Sequence, residues 1–476
     1  MMKRLYILLT LMVTFALNVS SQTLAQAKVY YEQGEYAKAK PVFARFVKTQ
    51  PGNGNYNLWY GVCCLYTGEP QIALKYMQTA VKKRITSGQL YLALTYDALY
   101  RYEEAIQTFE EYIAELEKRK KSTEKATELL EITRGKLRYL KGVEEVCIVD
   151  SFVVDKKNFL DAYRISPESG TIYSYNQYFD VETAHDGTVY ETELGNKIYY
   201  SEQDNNGKHN IMMRTKLSDG WGNAVLLSGK INTEQNAGYP FVMTDGVTLY
   251  YAADGQDSMG GYDIFVTRYN TATDSYLEPQ NMGMPFNSPA NDYMFAIDEF
   301  NNLGWFVTDR NQQEDKVCVY LFIPNATKQV YNYETIDKSK LIRLACLTSI
   351  QETQTDMEAV VEAKKRLEEI NATQKSVDNG CDFCFIVDDK TTYHKLADFK
   401  SPKAKALFEE YVQTEKTYKQ LSGKLKSQRA WYVKAKQSER MKMNEAILDL
   451  EKQVLKLNIT LERQAIDIRM LEKKME

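Results

Sequence analysis

A strand-turn-strand unit recurs in the middle of this chain, and its recurrence limits the folds that the chain can adopt. The clearest copy, GGYDIFVTRYNTATDSYLEPQNMGMPFNSPAN, runs from Gly260 to Asn291. Weaker copies run from Ile198 to Leu217 and from Gly304 to Ile323, each with an aromatic strand, a polar turn and a second alternating strand. One such unit cannot bury its own apolar face, so the repetition predicts a stacked or radial array.

The spacing of the copies gives the size of the repeat. Tyr199, Tyr250 and Trp305 align at separations of 51 and 55 residues, close to the roughly 40 to 50 residues of a propeller blade. Counting strand pairs predicts four sheets, at 146–180, 182–228, 238–283 and 291–325. The strand-like segment from Asp382 to Tyr393 is predicted to return and complete a sheet.

Two phrases in these repeats resemble a known family. YYAADGQDSMGGYDIF and PQNMGMPFNSPANDY are similar to the WD-like, TolB-related propeller repeats in envelope proteins of Bacteroidota, where tetratricopeptide repeats often precede the propeller. The resemblance covers about Val146 to Asn325 and implies an envelope scaffold. Several relatives end in an OmpA-like domain that grips peptidoglycan, whereas this chain ends in a helical pattern, so the resemblance does not imply wall binding here.

The segment from Ala27 resembles tetratricopeptide helices, in which small residues allow close packing and bulky residues fill the adjacent groove. The matching positions are Gly34, Tyr36, Ala39, Phe43 and Pro51, then Gly61, Gly68, Ala73 and Ala80, then Tyr91, Ala105 and Phe109. Three repeats are about the minimum for a stable solenoid, so the helix from Thr123 to Leu140 is predicted to cap them.

Tyrosine is frequent, with 35 residues, and it is concentrated in the repeat regions. A tyrosine ring can pack its body while its hydroxyl forms hydrogen bonds, which suits recognition surfaces as well as ordinary packing. We therefore predict Tyr36, Tyr60 and Tyr91 as interaction residues of the solenoid.

The C-terminal part carries a heptad pattern after a helix start at Ser401-Pro402. Its apolar positions are Met443, Ile447, Leu450, Val454, Leu457, Leu461, Ile468 and Leu471. A 3.5-residue period predicts a coiled-coil partner, with Leu450, Val454, Leu457 and Leu461 in the seam. That partner is another copy, another protein, or the segment from Ala404 to Ala435 folded back.

The first residues have the features of a secretory signal. Lys3 and Arg4 precede an apolar core from Leu5 to Val19, and Val19-Ser20-Ser21 forms a small-residue cleavage site before Gln22. We predict an exported, periplasmic chain, peripherally associated with the outer membrane and without a transmembrane span after cleavage.

These patterns predict a multidomain α + β protein with a solenoid, a β-propeller and a coiled-coil tail. The predicted boundaries are 1–21 for the signal peptide, 22–142 for the solenoid, 143–398 for the propeller with a helical insertion near 336–376, and 399–476 for the tail. The formal net charge of −4, from 60 basic and 64 acidic residues, disfavours a nucleic-acid partner.

Catalytic motifs are absent from the sequence. The three histidines, His185, His209 and His394, have no cysteine, serine or carboxylate at a spacing typical of a catalytic dyad, and His185 and His209 are predicted in loops. We therefore predict neither catalytic residues nor a cofactor.

Two groups of residues leave a metal site open. Asp254, Asp257 and Asp263 offer oxygen ligands for Ca²⁺ around Gly260-Gly261, although turns need the same residue types without an ion. The CxxC motif of Cys381 and Cys384 is a pair of structural thiols or a local disulfide, a metal site, or a redox centre.

The sequence favours an adaptor that binds other envelope proteins, with self-association through the C-terminal coiled coil as one of the three ways to cover its seam. The alternative is a ligand-binding module in which the mouth of the propeller recognises a glycan or peptide. A propeller hydrolase is the third and least favoured function.

Overall fold

The computed structural model places two compact units, Met1–Leu367 and Glu368–Glu476. It describes residues 23–183, 187–217, 220–255, 257–378, 383, 385–388, 391–393, 395–434 and 437–473. The predicted signal peptide, His185, His394 and the CxxC cysteines lie outside the described residues. Within them, no helix has the length and apolarity needed to span a membrane.

From residue 24 onward, the described part of the first unit forms seven helices arranged as successive hairpins. They are α1 Leu24–Glu32, α2 Tyr36–Thr49, α3 Gly54–Tyr66, α4 Pro70–Lys82, α5 Gly88–Ala98, α6 Tyr102–Lys118 and α7 Glu124–Lys141. Each helix packs on the next, and α7 covers α6 as the sequence predicts. Gly34 and Gly68 turn the chain within the first two hairpins at φ 78°, a left-handed conformation that glycine adopts without steric cost.

Ala39 and Ala73, the small residues at equivalent positions of the first two repeats, are both fully buried. We predict that Ala39→Trp lowers the free energy of unfolding by about 1–3 kcal/mol or more, because the ring has no space there. Ala37→Trp is the matched control, since Ala37 is exposed on the same helix. Circular dichroism melting checks this prediction, and equal melting temperatures for the two variants would contradict the assigned repeat register.

Fifteen strands follow in the residues of the first unit that the structure describes. They are β1 Cys147–Asp155, β2 Thr171–Ser174, β3 Thr188–Glu191, β4 Lys197–Gln203, β5 His209–Leu217, β6 Gly220–Trp221, β7 Val225–Leu226, β8 Ala237–Val242, β9 Thr248–Ala253, β10 Asp263–Asn270, β11 Ser275–Tyr276, β12 Gln280–Asn281, β13 Asp292–Asp298, β14 Leu303–Thr308 and β15 Lys316–Ile323. A short helix, α8 Tyr175–Phe179, follows β2.

In the described residues these strands form three antiparallel sheets rather than the predicted four. The first sheet contains β2 to β7, the second β8 to β12, and the third β13 to β15 with β1. The predicted sheet at 146–180 does not form, because β1 pairs with β15 and β2 pairs with β3. His209 is also not in a loop, since it begins β5 opposite Gln203.

Residues that align in the sequence occupy equivalent positions in the three sheets. Tyr199, Tyr250 and Trp305, which the sequence aligns, are each the third residue of the middle strand of their repeat, in β4, β9 and β14. Strand β8 packs against the first sheet and β13 packs against the second. The sheets therefore follow one another in chain order, each buried against its neighbour.

Two asparagine side chains make equivalent hydrogen bonds in successive repeats. The Asn232 side chain receives the Ile211 N–H and donates to the Ile211 carbonyl oxygen. The Asn287 side chain forms the same two bonds with Ile264. Each amide bonds to both backbone groups of one strand residue, so it adds to the backbone hydrogen bonds at the edge of the sheet.

The Gly260-Gly261 pair lies against the loop that enters the third sheet. A Cβ atom on Gly260 would collide with the Pro289 carbonyl group, and one on Gly261 would collide with the Asn291 side chain. Close backbone approach therefore explains the two glycines in the motif.

A shared core joins the helical and strand-rich regions of the first unit. After the third sheet the chain forms α9 Lys338–Cys346 and enters α10 Met357–Asp378. Tyr102 and Leu140 from the helical region pack with Met284, Leu341 and Ala345 in one buried cluster. The helical region is thus mounted directly on the strands.

The second unit is built on a helical hairpin. Its elements are β16 Phe385–Asp388, β17 Thr391–Tyr393, α11 Pro402–Lys434 and α12 Gln437–Lys473. The segment predicted to complete a central sheet instead forms its own two-stranded sheet, in which β16 pairs with β17. Phe385 and Tyr393 pack with Phe408 of α11 and Ile468 of α12.

Helix α11 covers the predicted seam of α12, which is the folded-back alternative. Leu450 and Ile447 pack with Leu425, and Val454 lies beside them. Leu461 is buried, and Leu457 is half-buried. Glu472 at the end of α12 receives the backbone N–H groups of Lys400 and Ser401, which ties the end of one helix to the start of the other.

We predict that Leu450→Asn loosens the hairpin, because it loses about 1.5–3 kcal/mol of apolar burial. Leu448→Asn is the control, since Leu448 is 55% exposed on the same helix. Hydrogen exchange followed by mass spectrometry should show faster exchange in α11 and α12 for Leu450→Asn alone. Equal exchange in both variants would contradict the packing of the seam on α11.

Candidate functional site

A group of aromatic side chains collects on one side of the helical hairpins. We call Tyr31, Tyr36, Tyr66 and Tyr91 the tyrosine cluster; they come from α1, α2, α3 and α5. The Tyr36 and Tyr66 rings stack with centroids 4.7 Å apart and planes 14° apart. Tyr31 meets the edge of Tyr36 at 5.7 Å. Residues from three successive hairpins thus form one continuous surface.

The Tyr31, Tyr36 and Tyr66 hydroxyls are neutral hydrogen-bonding groups. Burial raises the pKa of Tyr31, and the nearby Tyr91 and Tyr36 hydroxyls raise it further. Burial likewise raises the pKa of Tyr66 and Tyr36. Tyr66 is nevertheless 52% exposed, so its ring face remains accessible. The cluster can therefore offer aromatic surface together with hydroxyl donors and acceptors.

A cation–π contact joins the first two hairpins. The Lys28 amino group is 4.6 Å from the centre of the Trp59 ring. Both residues belong to first helices of hairpins, α1 and α3. This cation–π contact holds the Lys28 amino group over the Trp59 ring.

The structure brings together two of the three predicted tyrosines. Tyr36 and Tyr91 belong to the cluster, whereas the Tyr60 ring packs edge-on against Tyr76 at 4.7 Å. Burial raises the pKa of Tyr60 to about 12. Tyr31 and Tyr66 were not predicted, although each is the last tyrosine before a hairpin glycine, at Gly34 and Gly68, which is a signal the sequence offers.

Comparison with known families identifies the helical hairpins. A tetratricopeptide-repeat model matches residues 24–87, and a second tetratricopeptide-repeat model matches residues 88–115. The N-terminal region is a tetratricopeptide-repeat solenoid. The matches extend from the start of α1 into α6, which confirms the N-terminal part of the predicted resemblance. No curated protein is significantly similar to the chain as a whole.

The three aspartates proposed for Ca²⁺ have separate structural contacts. Asp254 accepts from the backbone and side-chain nitrogens of Asn236, and Asp309 does the same for Asn291 in the next repeat. Asp257 contributes its backbone oxygen to the Asn281 side chain. Among the described residues, no group of three or more acidic, histidine or cysteine side chains could hold a metal. Asp254 therefore holds the loop that enters β8.

Asp263 has a fully buried carboxylate. One of its oxygens accepts from the Met259 N–H at 2.9 Å and from the Asn281 amide at 2.6 Å, whereas the other has no partner among the described residues. Burial raises the pKa of Asp263 to about 8, and the charge of Asp292 contributes. Asp292 is itself paired with Arg310 at 2.7 Å.

We predict that protonation of Asp263 makes folding pH-dependent. Its folded pKa of about 8 exceeds the unfolded value of about 3.9, so the folded chain holds the proton longer as pH rises. This contribution to stability is present below about pH 4 and is lost as pH rises through about 8. Asp263→Asn should melt with a smaller change between pH 5 and pH 8 than the parent protein. Identical pH dependence would contradict the assignment.

Proposed function

We propose that this chain is a non-catalytic scaffold of the cell envelope, in which the tyrosine cluster of the solenoid binds a segment of another protein. Tetratricopeptide repeats support a protein–protein interaction role. The observation that carries the proposal is the half-exposed Tyr66 ring stacked on Tyr36 within a face made by three hairpins.

The chemistry of the cluster favours an extended peptide segment as the bound group. Tyrosine supplies large contact area at low cost in side-chain entropy, and its hydroxyl can pair with peptide carbonyl and N–H groups. Stacking holds Tyr36 and Tyr66 in place before binding, which lowers the ordering cost further. Aromatic residues of this kind often carry most of the binding energy of an interface.

We further propose that the three sheets are propeller-like blades that hold the solenoid in the envelope. Three observations support this proposal. Tyr199, Tyr250 and Trp305 hold equivalent positions in the three sheets, and each sheet packs on the next in chain order. Strand β1 completes the sheet of the last repeat. Export to the periplasm, and peripheral association with the outer membrane, follow from the signal-like first residues and the resemblance to Bacteroidota envelope proteins.

The test compares two tyrosine variants of an affinity-tagged chain expressed in its native cells. We predict that Tyr66→Ala lowers recovery of specific envelope proteins about tenfold or more, because it removes an exposed hot-spot ring. Tyr76→Ala is the control, since Tyr76 is a half-buried solenoid tyrosine outside the cluster. Quantitative mass spectrometry of the purified material measures the difference.

Equal recovery by the two variants would contradict binding at the cluster. A chain that recovers no envelope protein but binds a glycan saturably would instead favour the ligand-binding module. Melting curves of both variants must match the parent, so that loss of a partner is not loss of folding.

A further inference from the structure

Helix α12 carries a second apolar face that α11 does not cover. We call this face the outer stripe, and its residues, each between 49% and 61% exposed, are Leu448, Leu455, Ile459, Ile466 and Met470. Leu448 comes two positions before Leu450, and Ile466 comes two positions before Ile468, which both pack inside the second unit. At 3.6 residues per turn, residues two positions apart project from nearly opposite sides of a helix. The hairpin therefore leaves the outer stripe open to solvent.

The outer stripe repeats every 11 residues. Leu448, Ile459 and Met470 are 11 positions apart, and so are Leu455 and Ile466. Because an 11-residue repeat is close to a whole number of helical turns, the apolar side chains stay in a nearly straight line. From Leu448 to Met470 this line runs for about 33 Å at 1.5 Å per residue. A periodic apolar line of this length is suited to packing against another helix.

The apolar area of the stripe matches what a dimer requires. Five half-exposed aliphatic side chains present on the order of 500 Å², in the upper part of the range for one patch on a monomer. Two copies that cover each other's stripe bury about 1,000 Å² from these side chains alone, which reaches the lower limit of a specific interface. A small ligand would cover only part of a line this long.

Charged residues follow the same repeat along the two edges of the stripe. Glu451 and Lys452 are each 11 positions before Glu462 and Arg463. Because successive residues are about 100° apart around a helix, the two glutamates lie along one edge and the two cations lie along the other. Lys452, Glu462 and Arg463 are exposed, whereas Glu451 is half-buried and accepts from Arg429 of α11 at 2.7 Å. The stripe therefore has an acidic edge and a basic edge.

We propose that a second copy of this chain covers the outer stripe, with the two α12 helices running in the same direction. The two-fold axis is then parallel to the helices, so the basic edge of each stripe faces the acidic edge of the other. Lys452 approaches Glu451 of the second copy, and Arg463 approaches Glu462 of the second copy. The opposite direction would bring the basic edges together and the acidic edges together. This dimer uses the face opposite the predicted seam and does not depend on the function proposed for the tyrosine cluster.

The first test compares two aspartate variants of the full chain by sedimentation velocity. The parent should be a dimer at micromolar concentration. Leu455→Asp should raise the dissociation constant about a hundredfold or more, since each of the two copies loses an apolar contact worth about tenfold or more. Gln453→Asp is the matched control and should leave the dimer intact, because Gln453 is exposed on the same helix outside the stripe. A monomeric parent, or equal dissociation constants for the two variants, overturns the proposal.

Exchange of charges tests the direction of the helices. Arg463→Glu should weaken the dimer about threefold to tenfold, because it replaces two attractive contacts with repulsive ones. The double variant Glu462→Arg with Arg463→Glu should restore the parent affinity, since each pair forms again with its signs reversed. Stronger association of Arg463→Glu than of the parent would indicate the opposite direction and overturn the proposed arrangement.

Melting temperatures separate loss of the dimer from loss of the hairpin. At concentrations where both variants are monomers, Leu455→Asp and Gln453→Asp should melt together. If Leu455→Asp unfolds the hairpin, the charge exchange still decides, because Glu462 and Arg463 lie outside the hairpin core. Since Leu448 belongs to the stripe, hydrogen exchange of Leu448→Asn and Leu450→Asn is compared below the dissociation constant. A parent that stays monomeric and instead binds a helix of another protein at the stripe overturns the assignment to a second copy.

Discussion

The pairing of β1 with β15 is the contact on which the rest of the first unit depends. It joins residues 147–155 to residues 316–323 in one antiparallel ladder, from Cys147 opposite Ile323 to Asp155 opposite Lys316. Closing so long a loop costs conformational entropy, which is offset because the paired strands bury Ile148 and Phe322 in one core with Phe306 of β14. The chain therefore leaves the strand-rich region beside the point where it enters.

That proximity places the solenoid against the helices that follow the sheets. The Glu145 N–H bonds to the Gln329 carbonyl oxygen, and the Tyr331 N–H bonds to the Val143 carbonyl oxygen. The end of α7 and the start of α9 then share a buried core. The β1–β15 ladder therefore brings the two ends of the strand-rich region to the place where this core forms.

Polar residues that the sequence offers as possible ligands form hydrogen bonds that hold loops of the sheets in place. The Asn236–Asp254 and Asn291–Asp309 pairs hold equivalent loops in successive repeats. Asp254 suggested a calcium ligand because ion sites and turns use the same residue types. Asp254 is bonded to Asn236, a residue 18 positions away whose approach depends on the sheet.

The order of the regions, the solenoid repeats and the strand register follow from the sequence by itself, because local periodicity specifies which face of a helix or strand is apolar. The glycines at 34 and 68 and the aligned Tyr199, Tyr250 and Trp305 illustrate this. Tyrosine usage alone predicted two of the four clustered tyrosines. The other two were missed because the stacking of the hairpins determines which rings meet. Only the tertiary structure decided that α11 covers the seam of α12 and that β1 joins the last sheet. An apolar face in the sequence indicates that some partner must cover it, whereas the choice among distant partners depends on the whole set of competing contacts in the fold.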